Sequence, residues 1–268
     1  MLAGQGTSNT RAPDFVGLAG HPVRWRLLTE LARSDRHVNE LTRLLGQPQA
    51  LISYHLGRLR DGGLVSSRRS RHDRRASYYT IDLRRCAEAL SVTGSRLHPG
   101  LSLHLAPVVA PQRRSSTRLR VLFACTGNGA RSQIAEALLQ RLAGDRLEVV
   151  SGGSHPKPIH PNVTRVLAER GIDISGRRSK QLSQFEGQHF DVVVTLCDRV
   201  REACPEFFSR ADAIHWSIED PSLATGDNRA TYPVFCALAA ELESRIGFLN
   251  ALIHQHEHEQ ETTNHVRP

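Results

Sequence analysis

Hydrophobic residues recur at helical spacing in the first part of the chain and predict a group of short helices. Val23, Leu27, Leu28 and Leu31 fall on one face of the first of these. Pro22 suits the first position of that helix, because the N–H that proline lacks would have no carbonyl partner within the helix at that position. The pattern therefore predicts a helix that packs its leucine face against a core.

Further helices and a hairpin are predicted before residue 98. Gly46 follows the next apolar segment and can adopt the left-handed conformation that ends a helix. The turn Asp61-Gly62-Gly63 ends the helix after that, and a basic loop separates two short strands. In order, the predicted elements are helices at 38–45 and 48–60, strands at 64–69 and 77–81, and a helix at 83–97.

After residue 117 short apolar strands alternate with helices. The run 191–196 is apolar on both faces, as a buried parallel strand requires. This alternation predicts an α/β domain in which helices cover both faces of a four-stranded parallel sheet. The predicted strands are 120–124, 147–150, 191–196 and 213–216, and the predicted helices are 132–143, 161–171 and 232–253.

Composition then divides the chain into segments. Helix, turn, helix and basic hairpin together predict a winged helix-turn-helix, followed by a proline-containing linker and the α/β domain. The predicted boundaries are a disordered segment 1–13, a winged helix-turn-helix domain 14–97, a linker 98–117, the α/β domain 118–255 and a polar, histidine-containing tail 256–268.

The net charge differs between the two halves of the chain. The whole chain has a formal charge of +8, yet residues 1–118 hold 19 Arg against 8 Asp and Glu, a net of +11. This excess suggests a polyanionic partner for the N-terminal half. A biased codon composition is the alternative explanation, because nearly all the basic residues are arginine.

Neither a signal peptide nor an apolar run long enough to span a bilayer is present, so a soluble, cytoplasmic protein is expected. In that reducing compartment, cysteines are more often catalytic, metal-binding or core residues than parts of structural disulfides. The chain has five cysteines: Cys86, Cys125, Cys197, Cys204 and Cys236.

One loop carries the strongest chemical signal. Cys125 ends a predicted strand, Arg131 follows five residues later, and a helix begins there. Backbone N–H groups and the helix N-terminus can converge on a tetrahedral oxyanion, and Arg131 offers a planar fork to its oxygens. The same surroundings would stabilise a Cys125 thiolate nucleophile, and we expect Gly127 and Gly129 to permit the necessary dihedral angles. The expected oxyanion-binding residues are Thr126, Gly127, Asn128, Gly129, Ala130 and Ser132.

This loop resembles the signature of the low-molecular-weight tyrosine phosphatase fold. That fold is shared by true phosphatases and by one class of arsenate reductases, so the loop does not distinguish them. Two further cysteines distinguish a reductase from a phosphatase. The strand 191–196 delivers Cys197 at its carboxyl end, where parallel sheets bind ligands, and Cys204 follows seven residues later. A phosphatase needs one thiolate, whereas a reductase must transfer two electrons to arsenic.

The three cysteines suggest a thiol relay. Cys125 would attack arsenate, Cys197 would attack the Cys125 sulfur and release arsenite, and Cys204 would carry the disulfide to the surface. A helix between Cys197 and Cys204 would separate their Cα atoms by about 10 Å, beyond the roughly 7 Å that a disulfide tolerates. We therefore expect this segment to unwind or loop out during turnover.

Residues 118–253 resemble thioredoxin-coupled arsenate reductases. The resemblance implies that Asp220 is the general acid and that an external thiol, thioredoxin or a low-molecular-weight thiol, is the reductant, with no bound cofactor. Ser222 and Leu223 follow Asp220-Pro221 where phosphatases usually have tyrosines. The matching stretches are 121–133, 160–161, 171–175, 179–180, 194–197, 204–205 and Trp216 with 219–221.

The resemblance also bears on cations. Asn128, Ser132, Glu136 and Ser151 match positions that organise the loop or a monovalent cation in relatives. Lys180 stands where some relatives have an aspartate of that cation site. Its ammonium can replace the cation, so we expect neither a potassium requirement nor a metal ion.

Residues 14–82 resemble ArsR-type winged-helix repressors, which implies operator DNA as a partner and dimerisation through this domain. In that arrangement the helix 48–60 enters the major groove and the hairpin follows the phosphate backbone. The expected DNA contacts are Gln49, Ser53, Tyr54, His55 and Arg58 from the helix and Arg68, Arg69, Arg71, Arg74 and Arg75 from the hairpin.

The usual arsenite-binding cysteines are absent from residues 34–41, and Cys86 is the only thiol of this half. Three explanations stay open for this half: an inducer other than arsenite, modulation of DNA binding by the redox state of the attached reductase, or a constitutive DNA or dimer module. For the whole chain three functions stay open. They are an arsenate reductase fused to a regulator of the arsenic response, a low-molecular-weight protein tyrosine phosphatase, and a non-catalytic transcription factor that senses an oxyanion.

Overall fold

The computed structural model describes residues 13–73, 75–98, 101, 118–203 and 213–265, with side chains as far as residue 255. It divides into two compact units, Met1–Ser67 with Tyr79–Leu105 and Arg68–Tyr78 with Ala106–Pro268. Outside the described residues lie Arg74, Cys204, the predicted disordered segment up to residue 12, nearly all of the predicted linker and the last residues of the predicted tail.

Helices form most of the N-terminal part of the chain. Leu27, Ile52, Leu56 and Leu59 are fully buried, so the predicted apolar faces do form a shared core. Gly46 follows the third helix with a φ of 64°, the left-handed conformation expected for it. The helices are α1 (Asp14–Ala19), α2 (Pro22–Arg33), α3 (Val38–Leu45), α4 (Gln49–Asp61) and α5 (Leu83–Leu97).

A small sheet accompanies these helices. Its strands are β1 (Arg36–His37), β2 (Val65–Arg69) and β3 (Ser77–Ile81), in the order β1-β3-β2. The pattern of residues predicted the hairpin β2–β3. It did not predict β1, because two residues are too few to show the alternation that identifies a strand.

The second unit contains the predicted four-stranded parallel sheet. Its strands lie in the order β5-β4-β6-β7, and every pair is parallel. The strands are β4 (Leu119–Cys125), β5 (Leu147–Gly153), β6 (Val192–Thr195) and β7 (Ile214–His215). The helices are α6 (Arg131–Ala143), α7 (Pro161–Ala168), α8 (Asp198–Ala203) and α9 (Asn228–His265).

Strand order brings two cysteines to one edge of this sheet. β4 lies between β5 and β6 and is buried along most of its length, with Phe123 fully enclosed. Ala124 of β4 pairs in register with Thr195 of β6. Cys125 and Cys197 therefore emerge at the carboxyl ends of adjacent parallel strands, the edge at which such sheets bind ligands.

The last helix is longer than predicted. The apolar periodicity predicted 232–253, whereas α9 runs from Asn228 to His265. Its first turns precede Pro233, and its end continues into the polar segment that we expected to be a tail. Side-chain polarity therefore did not stop the helix. Among the described residues, none of the helices combines the length and apolar character needed to cross a bilayer.

Candidate active site

The loop from Cys125 to Arg131 joins the end of β4 to the start of α6. Cys125 is buried, and its Sγ lies 3.0 Å from the hydroxyl of Ser132. The backbone N–H of Asn128 donates to the same sulfur at 3.2 Å. The sulfur thus sits inside the curve of the loop, within hydrogen-bond distance of a hydroxyl and a backbone N–H.

Asn128 holds the loop in shape. Its φ of 44° lies in the left-handed region, which asparagine tolerates better than most residues. Its amide nitrogen donates to Ser132 at 2.9 Å and to Ser151 at 2.7 Å. Its amide oxygen accepts from Gln133 at 3.0 Å and from the backbone N–H of Lys180 at 2.7 Å. These four bonds fix a strained backbone position without glycine.

The expectation about the two loop glycines was wrong, because neither Gly127 nor Gly129 has a positive φ. Gly129 is needed for a different reason: a Cβ there would lie 2.7 Å from the carbonyl oxygen of Pro158. At Gly127 a Cβ would meet the side chain of Lys157 at 3.7 Å, an ordinary contact. Close backbone approach at Gly129, and the conformation of Asn128, therefore shape the loop.

The neighbouring segment 155–160 supports the loop from outside. The backbone N–H groups of His155, Lys157 and His160 donate to the carbonyls of Thr126, Gly127 and Gly129 at 2.8, 2.8 and 2.9 Å. Three loop carbonyls are thus bonded outward, while the N–H of Asn128 points inward to the Cys125 sulfur. This is the polarity that an anion-binding loop needs.

Lys180 forms an ion pair with Glu136 beside the loop. Its ammonium contacts both carboxylate oxygens of Glu136, at 3.1 and 3.3 Å, and Arg177 contacts the same carboxylate at 3.3 Å. Ser151 donates to Glu136 and accepts from Asn128. The ammonium of Lys180 is thus paired with Glu136, and two hydrogen bonds through Ser151 connect that carboxylate to Asn128.

Arg131 and Asp220 are brought together. Arg131 Nη2 donates to Asp220 Oδ2 at 2.7 Å, and Nη1 donates to the carbonyl of Ile218 at 3.0 Å. The buried Nε of Arg131 has no hydrogen-bond partner among the described residues. It is therefore available to an oxyanion in the loop.

Asp220 is ionised in this arrangement. Burial alone would raise the pKa of its carboxyl group, but Arg131 and two hydrogen bonds from Ser222 outweigh burial and hold the pKa below its ordinary value. The side chain is 26% exposed, so a proton can reach it from solvent. A general acid must be protonated, so a reaction that used Asp220 in that role would first require Arg131 to release this carboxylate.

Cys197 follows β6 and lies beside the loop. Its Sγ is 3.3 Å from the hydroxyl of Thr126, the neighbour of Cys125 in sequence. Burial raises the pKa of the Cys197 thiol; Arg131 opposes that effect and Cys125 adds to it. Hydrogen bonds from Thr126 and from the backbone N–H of Val200 favour the thiolate. Cys86, Cys125, Cys197 and Cys236 are free thiols, and Cys204 lies outside the described residues.

Most of the expected DNA contacts on α4 are exposed, but His55 is not. His55 is only 4% exposed, its ring lies 4.4 Å from that of His21, and burial lowers its pKa. It therefore belongs to the packed side of the helix. The exposed residues of the predicted set are Gln49, Ser53, Tyr54 and Arg58 on α4, and Arg69, Arg71 and Arg75 in or after β2.

Two arginines of the predicted DNA-binding hairpin have acidic partners within the second unit. Arg68 Nη2 lies 3.1 Å from Asp198, and Arg71 Nη2 lies 3.3 Å from Glu219. Asp198 was not among the predicted site residues, although its position directly after Cys197 was a signal. No signal pointed to Arg68 as a partner of this residue, because 130 positions separate Arg68 from Asp198.

Comparison with known proteins identifies relatives of both parts of the chain. Residues 120–259 match the family model described as low molecular weight phosphotyrosine protein phosphatase, and residues 18–76 match the MarR family. The chain is 36% identical over 126 residues to an arsenate reductase of Halalkalibacterium halodurans and 32% identical over 126 residues to one of Bacillus subtilis. Each alignment covers 47% of this chain and 91% of the relative.

Among solved structures, one described as an arsenate reductase in the phosphate binding state is 30% identical to this chain. The match covers 50% of this chain and 98% of that one, with a TM-score of 0.45.

Proposed function

Because the chain belongs to the low molecular weight phosphotyrosine protein phosphatase family through residues 120–259, we propose that its second unit reduces arsenate to arsenite. Cys125, Cys197 and Cys204 act in that order. The arsenate reductases that align with this half of the chain support the choice of substrate.

Arsenate binds in the loop between Cys125 and Arg131. The inward backbone N–H groups and Arg131 Nε bond its oxygens, and the start of α6 favours its negative charge. The substrate competes with Asp220 for the Arg131 guanidinium. Once Arg131 turns to the oxyanion, Asp220 loses its counter-charge and faces an anion, which favours its protonated form.

Two bond exchanges then reduce arsenic. The Cys125 thiolate attacks arsenic, an S–As bond forms, and one oxygen leaves as water with a proton from Asp220. The Cys197 thiolate next attacks the Cys125 sulfur. As the S–S bond forms, the S–As bond breaks and its electron pair stays on arsenic, which leaves as arsenite. Two sulfurs lose the two electrons that arsenic gains.

The position of Cys197 is the observation that carries this proposal. Its sulfur lies 3.3 Å from Thr126, at the mouth of the loop. A phosphatase needs only the loop cysteine, the arginine and a general acid. A second buried thiol at this point has no task in phosphate hydrolysis, but reduction requires one.

Cys204 completes the proposed cycle by attacking Cys197. The new disulfide is then reduced by thioredoxin or a low-molecular-weight thiol. Residues 198–203 form α8, so this exchange requires α8 to unwind: a helix would hold the two Cα atoms about 10 Å apart.

Arsenate-dependent oxidation of NADPH, coupled through thioredoxin and its reductase, tests the proposal. The wild-type chain should turn over continuously, and Cys204→Ser should stop after one cycle. Cys236→Ser, which removes a free thiol on α9, serves as the matched control and should behave as wild type. Steady hydrolysis of para-nitrophenyl phosphate that survives Cys197→Ser and Cys204→Ser would instead favour a phosphatase. Release of operator DNA by arsenate without arsenite formation would favour an oxyanion sensor.

For the N-terminal unit, we propose an ArsR-type DNA-binding regulator of the arsenic response that acts as a homodimer. The MarR-family match and the exposed polar face of α4 support DNA binding. The exposed Leu90, Val92 and Leu97 of α5 support pairing of two copies. Burial, with a smaller effect of Asp82, raises the pKa of Cys86 to about 11, so a protonated thiol there is a poor arsenite ligand.

Binding to the DNA upstream of its own gene tests this second proposal. Arg58→Ala should weaken binding about tenfold or more and reduce its salt dependence, as loss of a phosphate or base contact does. Arg33→Ala, a change of the same charge at the end of α2, should leave binding unchanged. Equal binding by all three proteins would contradict the assignment of α4.

A further inference from the structure

Asp198, the residue after Cys197, is a buried carboxylate. Its side chain is 2% exposed, and it accepts hydrogen bonds from Ser217 at 2.6 Å and from the backbone N–H of Arg71 at 3.1 Å. Arg68 and His215 contact it at 3.1 and 3.3 Å. Burial would raise the pKa of Asp198, but His215, Ser217 and Arg68 together hold it well below the ordinary range.

The partners of Asp198 include a segment that precedes the matched family region. Arg68 donates to the hydroxyl and the carbonyl of Ser217 as well as to Asp198. The same segment, Arg68–Tyr78, belongs to the second unit, whereas the family match begins at residue 120. Asp198 thus depends on an arginine that lies outside residues 120–259, the part of the chain that the phosphatase family model matches.

The segment Arg68–Tyr78 also holds the far end of α8. Ser70 and Tyr78 donate to Glu202 at 2.8 and 3.2 Å. Tyr78 is 1% exposed, and its ring lies 4.4 Å from that of His215. Both ends of α8 are therefore tied to this one segment.

The first turn of α8 acts directly on Cys197. The backbone N–H of Val200 donates to the Cys197 sulfur, and the N–H of Arg201 donates to the Cys197 carbonyl at 3.2 Å. An N–H aimed at sulfur stabilises the thiolate. Any loosening of this turn weakens that hydrogen bond.

We propose that Arg68 is a positioning residue for Cys197, which it holds in a reactive geometry through Asp198 and the first turn of α8. The inference rests on the proposed function in one respect, that Cys197 is the attacking thiol. Among the described residues, the other titratable and charged groups facing Cys197 are Cys125 at the end of β4 and Arg131 at the start of α6. A substitution at Arg68 alters neither of them.

The rate at which iodoacetamide alkylates Cys197, measured from pH 5 to 10 by peptide mass spectrometry, tests this inference. All proteins are full-length and carry Cys125→Ser, so that Cys197 is the only thiol of the pair that reacts. Arg68→Met should move the profile to higher pH, with about tenfold slower alkylation at neutral pH, equivalent to about one pH unit. Arg68→Lys restores a charge without the planar fork and should give an intermediate profile.

Arg118→Met is the matched control. Arg118 is exposed and precedes the amino end of β4, about 20 Å along the strand from Cys125. It should leave the profile unchanged. An Arg68→Met profile identical to that of the unsubstituted protein, or an equal shift in Arg118→Met, overturns the inference. If Arg68→Met does not fold, the same decision rests on Arg68→Lys, whose circular dichroism is compared with that of the parent protein.

This readout needs no arsenate, so the two failures are distinguishable. A shifted profile in a protein that makes no arsenite would leave the positioning by Arg68 standing and remove the reductase proposal. An unshifted profile in a protein that does make arsenite would remove the positioning role of Arg68 and leave the reductase proposal standing.

Discussion

Arg131 and Asp220 form an ion pair within the candidate active site, with 2.7 Å between Nη2 and Oδ2. In the proposed mechanism the same guanidinium binds the oxyanion and the same carboxylate later acts as the acid. Oxyanion binding would then compete with this ion pair, and that competition would link substrate binding to protonation of Asp220.

Asp220→Asn should change oxyanion affinity and arsenate turnover in opposite directions. Phosphate binding, measured by calorimetry, should become about fivefold tighter, because a competing ion pair worth about 1 kcal/mol is lost. Turnover of arsenate should fall about 100-fold or more, because the general acid is lost.

Glu219→Gln is the control for that change, since it removes the neighbouring carboxylate, which is 64% exposed and pairs with Arg71. It should alter neither phosphate affinity nor turnover. Weaker phosphate binding in Asp220→Asn would show that the carboxylate supports the site instead of competing for Arg131.

The two loop glycines should respond differently to alanine. Gly129→Ala places a Cβ 2.7 Å from the Pro158 carbonyl and should cost about 1–3 kcal/mol of unfolding free energy and most of the phosphate affinity. Gly127→Ala makes only an ordinary contact at 3.7 Å and should be tolerated. Urea unfolding and calorimetry measure both effects, and equal sensitivity at the two positions would argue against the close-approach explanation.

Lys180 should remove the need for a monovalent cation. Wild-type turnover should be the same in potassium chloride and in choline chloride of equal ionic strength. Lys180→Met leaves the Glu136 carboxylate without its ammonium partner, so turnover should fall several-fold and recover partly in potassium chloride. A wild-type protein that itself needs potassium would refute this prediction.

Asp198 should make stability depend on pH in the acidic range. Its pKa is lowered on folding, so its contribution is present above the unfolded pKa, about 3.9, and is lost as the pH falls toward the folded value. Asp198→Asn should therefore lower the unfolding free energy by about 2 kcal/mol at neutral pH, and the difference should narrow below about pH 4.

Urea unfolding between pH 7 and pH 2.5 measures that difference. Asp145→Asn, which removes an exposed carboxylate beyond α6, should stay within about 0.5 kcal/mol of wild type throughout. A difference for Asp198→Asn that is constant with pH, or that grows in acid, would mean that the carboxylate is not held ionised by its partners.

Local patterns were sufficient to predict the parallel sheet and the loop. The run 191–196 is apolar on both faces, which identified a buried strand, and Cys125 with Arg131 lies between a strand and a helix. Cys197 was recognisable because a residue that follows a parallel strand must lie at the ligand-binding edge. In each case neighbouring residues carried the information.

Other features depend on contacts between distant residues. Gly129 lies too close to the Pro158 carbonyl for a larger residue. The left-handed Asn128 is held by amide hydrogen bonds with the hydroxyl of Ser151 and the backbone N–H of Lys180, both distant in sequence. The burial of His55 depends on His21, and Arg68 meets Asp198 across 130 positions. No pattern within a single element encodes such pairs.

The most direct test of the relay is a single turnover of the Cys204→Ser protein with excess arsenate and no reductant. We expect about one arsenite per chain, together with a disulfide between Cys125 and Cys197 identified by peptide mass spectrometry, and neither product from Cys197→Ser. Arsenite formed by Cys197→Ser, or no arsenite formed by Cys204→Ser, would contradict the attack of Cys197 on Cys125.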